Sequence, residues 1–377
     1  MVPYIITLII TNIILYFGEK KLKNNKILGI IILIIGIMPI TLLAGIRTTN
    51  LGWDVQKYGV QIFGRVSNMN RLIDVKNYIS IRGTEAGFVY LIYFLSKISN
   101  NINFVLFGLN AIVSYSVLYY AYNNREKCSI TFTFILYETL LYSISYSTLR
   151  QSISLALTFI AYTKYKHKKI IQTILILLFS TFFHDSAKFA LLFLLIFINN
   201  DSNIINEKYK KLINIIIVFS VILIIMSYDS IMQYLWQVGI LKEKYFLYLS
   251  NKFNSETLHI RWPYFLIKLF SLLLGTLYFK TKNISNEDKK ENKKWMMMLI
   301  IDLIITLLSF KILTAHRLTY YIFFPAIFSF IPQTIRIFKD DKHNKILGYS
   351  LITVVYVLYY LISLPYYSIY PYRSIFK

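Results

Sequence analysis

The sequence contains a single cysteine, Cys128. An intramolecular disulfide is therefore excluded, and so is any multi-cysteine metal site. Also missing are a P-loop, HExxH, GxSxG and any carboxylate-rich cage. ATP hydrolysis and zinc chemistry lose their usual signatures with them, and no cofactor or metal is expected. Acidic residues are scarce, 18 against 41 basic ones. No Pro/Gly/Ser linker and no clear internal repeat interrupts the 377 residues, so residues 1–377 read as one domain, with a monomer as the default. The opening MVPYIITLII has no basic residue before its apolar core, unlike a signal peptide, so 3–17 read as a retained first span.

Long apolar runs fill the rest. Hydrophobic residues make up 56% of the chain, and mean hydropathy is +0.53. Runs such as IIILIIGIMPITLLAG and ILILLFSTFF are continuously apolar, without the alternation of a transmembrane barrel. The expected fold is all-α, a polytopic integral membrane helical bundle of about 12 spans. The spans fall near 3–17, 27–45, 103–123, 129–147, 149–163, 170–184, 186–199, 212–227, 263–280, 295–313, 318–335 and 347–364. Residues 86–98 are apolar but short, which suits a re-entrant or interfacial helix.

A net charge of +23 on a soluble protein would suggest nucleic acid. Here lysines that anchor loops against anionic lipid explain it better, and no nucleic-acid partner is expected. The lysine-rich loops 19–26, 123–127, 164–169, 207–211, 280–294 and 336–345 all fall on one side of the span map, which makes that side the cytoplasm. Both termini and two longer external loops, about 46–87 and 228–262, then face outward. On this map 21 of 31 lysines are cytoplasmic, whereas 8 of 10 arginines are external or at the outer boundary. The positive-inside rule treats the two residues alike, so something outside favours the planar guanidinium fork, which matches phosphate and carboxylate oxygens in pairs.

Four external clusters stand out. AGIRTTNLGWDVQKYGVQIF (44–63) carries Arg47, Gly52, Asp54 and Tyr58. GTEAGF (83–88) places Glu85 before an apolar run, where a helix cap is an equally good explanation. Arg150-Gln151 stands where two short spans meet, a position from which an arginine also snorkels to headgroups. FFHDSAKFA (182–190) interrupts an apolar run with His184 and Asp185, and His184 and Lys188 would share a face of a regular helix. AHRLTYY (315–321) adds Arg317, Tyr320 and Tyr321. Glu138 and Asp302 lie mid-span and each requires an interior partner, or else marks an ion path. Trp53, Trp236 and Trp262 suit sugar stacking or an interfacial aromatic belt.

Taken in order, Arg47, Gly52, Asp54 and Tyr58; Glu85, Gly87 and Phe88; Arg150, Gln151 and Ala156; Phe183, His184, Ser186 and Ala187; and Arg317, Leu318 and Tyr320 form a pattern. It resembles the EpsG-like, Wzy-type polysaccharide polymerases. The resemblance implies a glycosyltransferase-C-like fold in the bacterial cytoplasmic membrane with an active site on its external face; an Ile-, Asn-, Lys- and Tyr-rich composition suits an AT-rich bacterial gene. It implies a substrate, oligosaccharide repeat units on undecaprenyl diphosphate, and the product classes O-antigen, capsule or exopolysaccharide. A flippase and a chain-length regulator are the partners it implies. On that reading Arg47, Arg150 and Arg317 hold the diphosphate, and Gln151, Tyr58 and Tyr320 contact substrate. The base is His184, Asp54 or Glu85. Two other classes share these features: a flippase of lipid-linked units, with charges along a path and internal symmetry, and a lipid-dependent membrane glycosyltransferase.

Overall fold

The computed structural model describes the chain except for residues 203–204, 228–229, 231–233, 235–236, 240–257, 282–283, 309–314, 339–341 and 377. Among the described residues there are helices and no strand, only an isolated bridge between Arg47 and Ser374. Among the described residues, five helical stretches are long and apolar enough to cross a membrane: Val2–Lys21, Lys26–Gly45, Ile102–Asn124, Trp262–Lys280 and His343–Ser363. The protein is a multi-helix membrane protein. Most of the other expected spans are helical as well, but shorter, broken or too polar to qualify.

The chain forms two compact units, Met1–Lys188 with Tyr349–Lys377, and Phe189–Gly348. In the first, α1 (Val2–Lys21) starts on Pro3 and ends on Lys20 and Lys21. Asn25 caps α2 (Lys26–Gly36) by accepting the Leu28 N–H at 3.0 Å. Ile37 then separates α2 from α3 (Met38–Gly45), whose first turn holds Pro39. A proline has no N–H to lose there, so the span bends without ending.

The expected external loop 46–87 is largely helical. It contains a π-helical turn at Val55–Val60, then α4 (Gln61–Val66) and α5 (Leu72–Arg82). They are short, and the apolar residues of α5 (Leu72, Ile73, Val75, Tyr78, Ile79 and Ile81) spread round the helix instead of forming one periodic stripe. α6 (Ala86–Ile98) is the short apolar segment expected there.

α7 (Ile102–Asn124) is capped by Asn101 and α8 (Ile130–Tyr137) by Ser129. Across from it, the Glu19 carboxylate accepts the Ile130 and Thr131 N–H groups at 2.9 Å and both neighbouring hydroxyls, covering donors that α8 cannot satisfy internally. A π-helical turn at Glu138–Tyr142 leads into α9 (Ser143–Ser147). Thr148 leaves helical geometry (φ −108°, ψ 69°), and α10 (Leu149–Lys166) begins. Buried Gln151, Ser152, Ser154 and Thr158 make α10 too polar for an apolar span. α11 (Ile170–Ser180) follows.

The contacts give this unit two ends. At one, Lys166 donates to the Asn123 carbonyl and Glu19 reaches Ser129, so the lysine-rich turns lie together. At the other, the Thr48 N–H donates to the Arg373 carbonyl, Gly52 N–H to Ser368 O, and Tyr4 Oη to Ile369 O. The N-terminus, the first long loop and the C-terminal tail therefore meet, as the lysine map requires.

The second unit contains α12 (Leu191–Asp201), α13 (Glu207–Met226), α14 (Leu258–Lys280), α15 (Asn286–Leu308), α16 (Ala315–Leu318) and α17 (Tyr320–Thr334). α17 is buried along its whole length, which fits a helix apolar on every face. α18 (Lys342–Ser363) runs on into the residues of the first unit. The expected loop 228–262, with Trp236, lies largely outside the described residues.

Candidate functional site

Four of the sequence clusters, widely spaced along the chain, converge at one end of the first unit. Arg150 is the hub. Its Nη1 lies 2.5 Å from Glu85 Oε2, with both side chains nearly buried, at 14% and 12% exposure. Its guanidinium stacks on the Tyr58 ring, 3.5 Å from the centroid. The Asp54 carboxylate acts on the same guanidinium through space. Gln151, one residue on, donates to Ser186 Oγ at 3.4 Å. The first, second and fourth clusters thus all touch the Arg150-Gln151 step.

Two glycines explain why the segments approach so closely. Gly52 has φ +101°, and a Cβ there would lie 2.5 Å from the Tyr146 carbonyl oxygen. No side chain fits, so the Asp54-bearing loop packs its bare backbone on the end of α9. At Gly87 a Cβ would lie 2.9 Å from the Phe182 carbonyl oxygen, to which the Gly87 N–H donates at 3.0 Å. This contact brings Glu85 beside the His184 segment.

His184 is not on a regular helix. Asp185–Ala190 forms a 3₁₀ helix, so the shared His184–Lys188 face expected from α-helical spacing does not arise. The Ser186 N–H donates to His184 Nδ1 at 3.2 Å, and Ser186 Oγ lies 2.6 Å from the same nitrogen. An Nδ1 that accepts from a backbone N–H leaves the proton of the neutral ring on Nε2.

Arg47 occupies a separate environment. It is 1% exposed, and its guanidinium stacks on Tyr146 at 4.0 Å. Tyr4, Tyr142 and Tyr372 complete an aromatic box. Its Nε and Nη1 have no hydrogen-bond partner among the described residues. Burial holds its pKa below the usual arginine value, while the surrounding tyrosines pull the other way. Burial likewise pushes Tyr372 up to about 12, against the pull of Arg47. This box joins the N-terminus, the first loop and the C-terminal tail. Sequence reasoning missed the tail; the only available signal was that both termini were expected on the same side.

Trp53, beside Asp54, packs on Tyr366 and Tyr367 of that tail, with centroids 4.9 and 5.6 Å away. Arg317 and Tyr320 belong to the second unit: Arg317 is half-buried, and Tyr320 is 1% exposed with its ring 6.3 Å from that of Tyr264.

The two mid-span carboxylates have partners. Asn12 donates to Glu138 Oε1 at 3.2 Å, and Lys268 to Asp302 Oδ1 at 2.5 Å. Among the described residues, no cluster of three or more His, Cys, Asp or Glu side chains is arranged to hold a metal ion.

The EpsG family model matches residues 30–374, nearly the whole chain. The chain belongs to the EpsG family. No curated protein and no solved structure matches it. EpsG membership points to a polysaccharide-polymerase type of enzyme. The matched range includes the whole Arg150 hub, the Arg317 segment and the Arg47 box apart from Tyr4.

Proposed function

We propose that this EpsG-family chain polymerises oligosaccharide repeat units carried on undecaprenyl diphosphate, at the external face of a bacterial cytoplasmic membrane. The observation that carries this reading is the nearly buried Arg150, stacked on Tyr58 and braced by Glu85. A guanidinium held in this way is preorganised for the charge that develops on a diphosphate leaving group. The lipid diphosphate is itself the activated donor, so a nucleotide site is unnecessary.

In the proposed step, a hydroxyl of the incoming unit attacks the anomeric carbon of the growing chain. The new C–O bond forms as the bond to the diphosphate oxygen breaks. That oxygen takes the electron pair and faces Arg150. The hydroxyl proton goes to a base. Of the three candidates, Asp54 suits this role best. Glu85 is already ion-paired with Arg150, so its lone pairs serve to position the fork. His184 accepts at Nδ1 from Ser186, which makes its Nε2 a donor, suited to the diphosphate rather than to proton abstraction. Asp54 acts on the same guanidinium, which places it beside the leaving group in this reading.

Gln151 and Tyr58 help shape this site. Arg47, in its tyrosine box, positions the loop that bears Asp54. Arg317 is assigned a phosphate contact, and Tyr320 a substrate contact, on the family resemblance alone. A flippase and a chain-length regulator are the partners of this reading.

The test is reconstitution of the full chain in lipid nanodiscs with a lipid-diphosphate-linked oligosaccharide and no nucleotide. Release of undecaprenyl diphosphate with growth of a glycan ladder is the expected result. Transfer that depends on an added sugar nucleotide would overturn the proposal.

A further inference from the structure

Lys268 is 1% exposed, deep in the second unit. All three of its ammonium hydrogens have acceptors: Asp302 Oδ1 at 2.5 Å, Thr306 Oγ1 at 2.7 Å and Thr319 Oγ1 at 3.0 Å. The rings of Tyr264 and Phe323 close over it at 4.1 and 4.7 Å. Asp302 and Thr306 both lie on α15, one turn apart, and Lys268 lies on α14. Thr319 lies at neither place. It is the N-cap of α17, and its carbonyl accepts the Ile322 and Phe323 N–H groups at 3.0 and 2.8 Å. It also directly follows α16, Ala315–Leu318, which carries Arg317.

Burying an ion pair is a poor way to gain stability, because desolvation of both charges offsets most of their attraction. Apolar side chains of the same volume would pack these helices as well. An ammonium with three acceptors from distinct positions gives something packing does not, a fixed distance and direction for each acceptor. Two of those acceptors lie on one helix. The third is the hinge between α16 and α17, two residues beyond Arg317.

We infer that Lys268, braced by Asp302 and Thr306, is a positioning residue that sets the place of Arg317 through the Thr319 hydroxyl. This rests on the reading that Arg317 contacts diphosphate. Lys268 itself touches no substrate. The α16–α17 junction is too short to fix its own direction, and the ammonium fixes it from the side.

The experiment measures binding of undecaprenyl diphosphate to the full chain in nanodiscs, with the thermal midpoint recorded for every variant. Arg317→Lys should weaken binding about tenfold, the loss of one charged hydrogen bond. Thr319→Val should weaken it by a similar factor. The two together should be no worse than Arg317→Lys alone, because a misplaced fork has nothing further to lose. Thr319→Ser restores the hydroxyl and should restore binding. Thr306→Val removes one brace from the same ammonium but leaves its contact with the junction, and should lower the midpoint while weakening binding less than Thr319→Val does.

Unchanged binding in Arg317→Lys would mean that the diphosphate reading of Arg317 fails. Weak binding in Arg317→Lys beside normal binding in Thr319→Val would overturn the positioning role. So would additive losses in the double variant, or equal binding losses in Thr306→Val and Thr319→Val.

Discussion

Arg150 and Glu85 are 65 residues apart in sequence, yet their charged atoms lie 2.5 Å apart in a nearly closed environment. Glu85 pairs with the guanidinium that stacks on Tyr58. In the proposed reaction this pairing takes Glu85 out of the pool of bases.

Arg150→Lys retains the charge but loses both the fork and the stacking plane. Polymer should fall about 10- to 100-fold, the loss expected for one or two charged hydrogen bonds. Immunoblotting should show normal protein levels, and a glycan gel reads the polymer. Near-normal chain length would count against a diphosphate contact at this position.

The pair can also be reversed. Glu85→Ala alone takes the ion-pair partner from a nearly buried guanidinium and should cost ~2 kcal/mol of stability. The double exchange Glu85→Arg with Arg150→Glu should recover much of the thermal midpoint, because the pair is restored. It should not recover polymer, because the fork no longer lies on Tyr58. Recovery of both would show that the pair is structural only.

Gly52 and Gly64 make a controlled comparison. Gly52→Ala forces a Cβ to within 2.5 Å of the Tyr146 carbonyl at φ +101° and should cost about 2 kcal/mol or more, with loss of polymer. Gly64 lies inside α4 with nothing within 4 Å of a Cβ, so Gly64→Ala should be neutral or stabilising by ~0.5 kcal/mol. Thermal midpoints in detergent measure both.

Much of the Arg150 hub was legible in the sequence. Lysine-rich turns sorted the helix ends, and that sorting put Asp54, Glu85, Arg150 and His184 at one end before any contact was known. The break at Thr148 was legible too, because a permanent charge stands between two apolar runs. The helices between Val55 and Arg82 were not, since they are short and α5 spreads its apolar residues round the helix instead of along one stripe. Nor was the burial of Arg47 readable: the tyrosines around it come from residues 4, 142, 146 and 372, and no local pattern links such distant positions. Asp302 clearly required a partner, but only packing could identify Lys268. The 3₁₀ turn after His184 defeated a face argument built on α-helical spacing.

Glu138 tests the competing transport reading. It is 1% exposed and hydrogen-bonded to Asn12 at 3.2 Å, inside a π-helical turn. Glu138→Gln keeps a side-chain oxygen for Asn12 and removes only the titratable group. Polymer output should stay within about twofold of wild type, a change of only ~0.4 kcal/mol. A loss of output that tracks the membrane proton gradient would instead make Glu138 part of a proton path.

The most direct measurement is the lipid-linked glycan profile, with its sidedness, of a deletion strain carrying either the wild-type chain or Arg150→Lys. The account predicts long polymer with the first. With the second it predicts complete single repeat units accumulating on the outer leaflet. Complete units held on the cytoplasmic leaflet would contradict it in favour of a flippase, and truncated units in favour of an earlier glycosyltransferase.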